Sequence, residues 1–369
     1  MDKDLSNVAN PKAHISGIAD NLQPQCEPLP QPQLPVPKFV FRLMLIVGVL
    51  LYSSYTILIH LCEVDGHVPF SYSAVVLAIE ILKLLLSIGM FLIEIRREQK
   101  QSDVSGPYFD CLGNRLRREF GASESAPHSS TMDIKLVVLP FAIPAILYTI
   151  TNNLGIAIQM EMDPATYQVL GNFKVLSTAI LFRLIIQRPI TPRQWVALIL
   201  LLVAGIINGL TNFDSNANTS SSVLHITLKG IFMISIYCTV SGLASVYTEY
   251  VLKRRVNMSL NVQNATLYVF GIVVNGLLYV FQEGLNKGTF NIFLGFSVYT
   301  WILVVTQAIS GIFMGFVMKY ANNILRLFII SSAMVVTTIL SILIFNLVVK
   351  TSFLISASTV VAALFLYNM

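Results

Sequence analysis

Apolar residues along this chain are gathered into long runs separated by short polar stretches, with neither the 3.6-residue stripe of a surface helix nor the alternation of a half-buried strand. Windows of about 19 residues mark ten runs, at 39–62, 72–95, 135–158, 165–187, 190–211, 228–250, 262–282, 298–319, 324–348 and 351–368. A helix of about 20 apolar residues crosses a hydrocarbon core of about 30 Å, and in lipid the backbone must satisfy its own hydrogen bonds. The pattern therefore predicts an all-α polytopic membrane protein with ten transmembrane helices. The third run is the weakest, being interrupted by Pro140, Pro144, Asn152 and Asn153. Residues 1–38 precede the first run and contain no signal-peptide core; the Pro/Gln-rich stretch from Gln23 to Pro37 reads as a disordered tail.

Composition agrees with a bilayer environment. The chain is 55% hydrophobic and only 12% charged, with a mean hydropathy of +0.71, whereas about a quarter of the residues in a soluble domain are charged. A net charge of +5 would suggest nucleic acid in a soluble protein, but here the placement of the charge matters more than its sum, and no nucleic-acid partner is expected. Of the 24 Lys and Arg, 18 are assigned to the side of the amino terminus, many of them at the ends of runs; Lys229, Lys287 and Lys350 are assigned to the opposite side, and Lys83, Lys174 and Arg326 to the spans themselves. Basic residues stay on the cytosolic side during insertion, so both termini are expected in the cytosol. The expected organisation is a cytosolic tail (1–38), a first repeat (39–211) with a cytosolic loop (96–134), a lumenal loop (212–227) and a second repeat (228–369). Five helices per repeat, an odd number, give the halves opposite orientations, and inverted repeats in transporters hold substrate near the midplane between them.

Several negatives narrow the function. Cys26, Cys62, Cys111 and Cys238 have no metal-ligand or redox spacing, and no catalytic triad, phosphate loop or dinucleotide turn is present, so an enzyme, a cofactor and a metal site are not expected. Asn218-Thr219-Ser220 is a glycosylation candidate on the lumenal side. Asn257 lies on the cytosolic side and Asn264 too close to a span for such use. Gly311 and Gly315, four residues apart, permit close helix packing within one chain or in a homodimer.

Charged and amide side chains inside the runs are the candidate chemistry. Lys174 lies about eleven residues beyond the polar break at Glu161-Met162-Asp163, about 16 Å into the core at about 1.5 Å per residue. An ammonium there costs several kcal/mol and is a binding-site candidate, and the adjoining Asn172 makes its segment unusually polar. Glu80 and Lys83 share a helix face three residues apart, as a bracing ion pair or as part of a substrate site. Tyr148 and Asn152 share a face of the third run, with Asn153 adjacent; such amides either bond between helices or read a base or sugar. Tyr247 is suited to stacking on a base or ribose, and Glu249, if turned to a cavity, to accepting sugar hydroxyls. Gly242 and Ala244 allow a close helix approach, and Lys253, Arg254 and Arg255 read as a topology anchor. Arg326, which follows Asn323, either snorkels to the interface or joins Lys174 in clamping a phosphate, to which a guanidinium binds bidentately.

Taken together, Glu80-Ile81-Leu82-Lys83-Leu84, Tyr148 with Asn152-Asn153, the run from Asp163 to Lys174, Gly242 to Glu249, and Met318 to Arg326 resemble the nucleotide-sugar transporters of solute carrier family 35, subfamily A, within the drug/metabolite transporter superfamily. The resemblance covers about residues 40–368. It implies ten helices, a Golgi or endoplasmic-reticulum membrane, Lys174 facing phosphate, and antiport of a cytosolic nucleotide sugar against lumenal nucleoside monophosphate. Arg326 stands where the family usually has a second lysine, and Ile329 where a hydroxyl residue is frequent; both resemble the divergent fourth branch. The expected substrate is a UDP-, CMP- or CDP-linked sugar or sugar alcohol. The alternatives are a carrier of another small organic phosphate and a non-transporting membrane scaffold associated with other transporters.

Overall fold

The computed structural model describes residues 35–62, 69–102, 108–120, 135, 137–159, 170–216, 228–255, 257–285, 291–345 and 351–368. All regular elements among them are helical: α1 (Lys38–Cys62), α2 (Tyr72–Ser102), α3 (Tyr108–Glu119), α4 (Ala142–Gln159), α5 (Lys174–Ile185), α6 (Pro192–Asn216), α7 (Leu228–Arg254), α8 (Leu260–Tyr279), α9 (Val298–Tyr320), α10 (Asn323–Phe345) and α11 (Thr351–Asn368). Five stretches, in α1, α2, α7, α8 with its extension, and α9, are long and apolar enough to cross a membrane, and shorter apolar helices occupy 139–152, 192–207, 323–337 and 354–367. Asn218, the glycosylation candidate, and the run from Asp163 to Val169 lie outside the described residues.

Side-chain placement is inverted relative to a soluble protein. Phe232, Leu277 and Leu343 point outward at 67%, 68% and 70% exposure, while Glu249, Lys253, Gln263 and Asn323 are fully buried. Lipid tolerates the first group and the bundle must satisfy the second. The chain is thus a multi-pass membrane protein whose polar chemistry lies between its helices.

Two local features explain how the sequence reaches this arrangement. The prolines of the third run do not break it, because Pro140 falls in a 3₁₀ turn at Leu139–Phe141 and Pro144 in the first turn of α4, where a missing N–H leaves no helical bond unmade. The fourth run, in contrast, is not one continuous helix. Phe173 N–H reaches Leu170 O (3.1 Å) and Val175 N–H reaches Asn172 O (3.0 Å), three-residue turns that interrupt the winding, and Lys174 becomes the first residue of α5.

α6 lies along α11, α2 along α8, α1 along α9 and α10, and both α4 and α5 along α7. Phe182, Leu198, Phe328 and Val360 join α5, α6, α10 and α11 in the largest apolar cluster. Gly242 serves the close approach expected of it: a Cβ there would stand 3.1 Å from Thr178 N and Ser177 Oγ, and the Ser177 hydroxyl crosses the gap to Cys238 O at 2.7 Å.

The loop expected at 96–134 contains a short polar helix, α3. Its Leu112 and the Phe120 that follows it pack on Phe91, Ile95 and Met258, and Arg115 reaches Glu94 (3.7 Å), Glu98 (3.3 Å) and Glu119 (3.1 Å). Glu119 in turn accepts Ser259 N–H at 2.7 Å. Burial pushes its carboxyl above the ordinary glutamate range, opposed by that N–H and by Arg115. α3 thereby ties the end of α2 to the turn between α7 and α8.

Candidate substrate cavity

A cavity of about 400 Å³ opens between α1, α2, α4, α7, α8, α9 and α10, within the range of about 300–1,000 Å³ usual for small-molecule sites. Among the predicted residues, Glu80, Lys83, Tyr148, Asn152 and Arg326 line it. They come from α2, α4 and α10, so positions distant in the chain converge on one space.

Glu80 and Lys83 form an ion pair of 2.6 Å across one helical turn, with the ammonium 5.2 Å from the centre of the Tyr268 ring. Room for the pair is made on the facing helices. A Cβ on Gly271 would stand 2.8 Å from Glu80 Oε2, and one on Gly311 would stand 2.6 Å from Lys83 Cε. Gly315 likewise faces Asn264 Oδ1 at 2.7 Å. The two glycines of α9 therefore accommodate polar side chains of α2 and α8, a close packing of helices within one chain. Gly311→Val should overpack this wall, at about 1–3 kcal/mol, and displace Lys83 from Glu80. We expect lower thermal stability in detergent and lower uptake, whereas Gly89→Ala, where nothing lies within 4 Å, should leave both unchanged.

Arg326 lines the cavity from the first turn of α10. Its Nη1 donates a long 3.5 Å bond to Asn323 Oδ1, and its Nε is buried without a partner. The charges of Arg326 and Lys174 act on one another, and among the described residues no carboxylate pairs with either. Lys174, at the head of α5, is not among the cavity-lining residues. The Arg326 guanidinium thus keeps a buried N–H unspent on the protein.

The remaining candidates lie elsewhere. Asn172 lies against α6, where a Cβ on Gly205 would meet its amide. Asn153 belongs to α4, but its side chain is outside the described set. Tyr247 packs against Tyr250, ring centres 5.8 Å apart, and α7 presents Thr248 and Leu252 to the cavity. Glu249 is spent on Lys253 Nζ (2.5 Å) and on Asn323 N–H (2.7 Å), while the Asn323 amide donates to Ser245 Oγ (2.8 Å). Lys253 also donates to Ala321 O and is fully buried. It is therefore not the topology anchor expected from the basic cluster. Arg254 and Arg255 keep their exposure, but Lys253 turns inward to neutralise Glu249.

Sequence reading passed over one whole wall. Asn264, Tyr268, Gly271 and Asn275 of α8 line the cavity at intervals of four, three and four residues, a single helix face. Both polar atoms of the Asn264 amide are buried without a partner. The spacing was visible, but Asn264 drew notice only as part of a sequon. Gln307 of α9, with Tyr52 and Tyr55 of α1, completes the lining that was missed.

A family model described as nucleotide-sugar transporter matches residues 38–368. The chain belongs to the nucleotide-sugar transporter family. This is a family of carriers, not of catalysts, and its substrates are nucleotide sugars. Among the relatives of this transporter, the protein named probable UDP-sugar transporter protein SLC35A4 of Xenopus tropicalis is 36% identical over 331 residues, covering 89% of this chain and 92% of its own length. Those of the same name from Danio rerio and Homo sapiens are 36% and 35% identical, covering 85% and 89% of this chain and 88% and 93% of their own lengths. A solved crystal structure, 12% identical, aligns over 89% of this chain and 97% of its own with a TM-score of 0.57, a likeness of fold.

Proposed function

We propose that this transporter carries a UDP-linked sugar or sugar alcohol from the cytosol into the Golgi lumen in exchange for a nucleoside monophosphate. The observation that carries the reading is the cavity itself, with an incompletely bonded Arg326 beside Lys174 and with Tyr148, Asn152, Asn264 and Tyr268 available for base and ribose. UDP as the carrier nucleotide is supported by the names of the relatives; a site that holds the nucleotide part of the substrate would also hold the monophosphate, which makes exchange its natural mode. Ten of the helices fall on the ten apolar runs, which supports ten crossings in a five-plus-five inverted repeat with both ends cytosolic. Lys174 then comes from one half and Arg326 from the other, so rocking of the halves carries the site between faces. A homodimer or an assembly with other transporters is compatible with this mechanism and not required by it.

The test is exchange in liposomes preloaded with UMP, CMP or GMP and offered UDP-, CMP-, CDP- and GDP-linked sugars and sugar alcohols. UDP-sugar uptake that depends on preloaded UMP is expected. Folded protein that exchanges no pair would overturn the reading and move the weight to a non-transporting scaffold.

A further inference from the structure

The two ends of the cavity differ in chemistry, and the difference bears on the substrate's glycosyl group. Three contacts order the wall. Asn264 of α8 faces Gly315 of α9, Lys83 of α2 faces Gly311, and Glu80 faces Gly271. Gln307 lies one helical turn beyond Gly311 on the same face of α9, and Asn275 one turn beyond Gly271 on α8; both line the cavity. From Met318 to Gln307 the α9 wall extends about 16 Å at about 1.5 Å per residue. Arg326 enters from α10, which begins just after α9 ends, and so belongs to the Met318 end. Gln307, Asn275 and Glu80 belong to the other.

At that second end the polar groups are incompletely used. Gln307 Nε2 is buried with no partner, and an amide left so costs free energy that a ligand acceptor would recover. Glu80 gives Oε1 to Lys83 at 2.6 Å, while Oε2 lies over Gly271. A carboxylate oxygen and a primary amide together suit a ring bearing vicinal hydroxyls, each of which donates and accepts. They suit a second carboxylate poorly, because Lys83 is already neutralised by Glu80 and no other cation lines this end among the described residues.

We infer that Gln307, with the Glu80–Lys83 pair, forms the subsite that reads the glycosyl group, and that this subsite takes an uncharged polyhydroxyl ring in preference to a sugar acid. The inference rests on the transporter reading above and adds to it a specificity-determining residue and a substrate class. The phosphates lie toward Arg326 and the sugar toward Gln307.

UMP self-exchange separates the two ends, since UMP has no glycosyl group. Full-length protein in liposomes is assayed for UMP/UMP exchange and for uptake of UDP-glucose and UDP-glucuronate, as wild type and as Gln307→Leu and Gln307→Asn. The wild type is expected to favour UDP-glucose over UDP-glucuronate by tenfold or more. Gln307→Leu should raise the KM for UDP-glucose about tenfold, the loss of one or two hydrogen bonds, with UMP exchange unchanged within about twofold, and Gln307→Asn should recover part of the loss. Equal falls in UMP and UDP-glucose transport, no change in either, or equal uptake of both sugars by the wild type would overturn the subsite while leaving the transporter reading intact. Absence of UMP exchange in the wild type would overturn both.

Discussion

Arg326→Ala should abolish measurable nucleotide-sugar uptake in protein that remains folded and correctly targeted. The side chain lines the cavity, its Nε has no partner, and its bond to Asn323 Oδ1 is long, at 3.5 Å, so little of the fold depends on it. What depends on it is the anion. Truncating one member of a buried charge pair typically costs about 2–5 kcal/mol, which is roughly 30-fold to more than 1,000-fold in affinity. Arg326→Lys should retain part of the activity, because it keeps the charge and loses the bidentate fork. Lys174→Ala should lose uptake in the same direction, since Lys174 shares the field of Arg326 without lining the cavity. Uptake by liposomes and melting temperature in detergent, measured on the same preparations, separate loss of binding from loss of fold. Normal uptake by folded Arg326→Ala or Lys174→Ala protein would sink the phosphate clamp.

The apolar runs announced the helices because lipid imposes the simplest of patterns, and every run carries one. The interruptions were harder to weigh. Pro140 and Pro144 looked like breaks, yet proline in a first turn costs no bond. Lys174 looked like the midpoint of a continuous helix, yet the turn through Asn172 and Phe173 makes it a helix start. In the cavity, residues paired along one helix, Glu80 with Lys83 and Tyr148 with Asn152, were legible because their spacing is local. Which face of α7 looks inward was not. Thr248 and Glu249 are one residue apart, about 100° around the helix, and only the packing of α7 against α10 turns Glu249 to Asn323 and Thr248 to the cavity. The α8 wall was present in the spacing from Asn264 to Asn275, but asparagine, tyrosine and glycine carry no charge to set them apart from an ordinary membrane helix.

Lys253→Ala should be the most destabilising single change among the basic residues that follow the α7 core, contrary to the near-neutral effect that a topology anchor would show. Glu249 is buried completely, and Lys253 is its cationic partner at 2.5 Å. Removing the lysine strands a carboxylate that still accepts the Asn323 N–H but has lost its ion-pair partner, and breaking a buried pair by removing one partner costs about 3–5 kcal/mol. Replacing both, as Glu249→Gln with Lys253→Met, should restore much of the stability, because a neutral amide and an apolar stem leave no bare charge. The melting temperature in detergent should fall by several degrees for Lys253→Ala and recover in the double variant, while Arg255→Ala, at an exposed position, should match the wild type. Equal melting of Lys253→Ala and wild type would remove the pair from the fold's supports. The effect should also reach transport: Glu249 holds Asn323, the first residue of α10, and Arg326 projects from the same turn. A pair that fixes where α10 begins thereby fixes where the phosphate-seeking guanidinium enters the cavity.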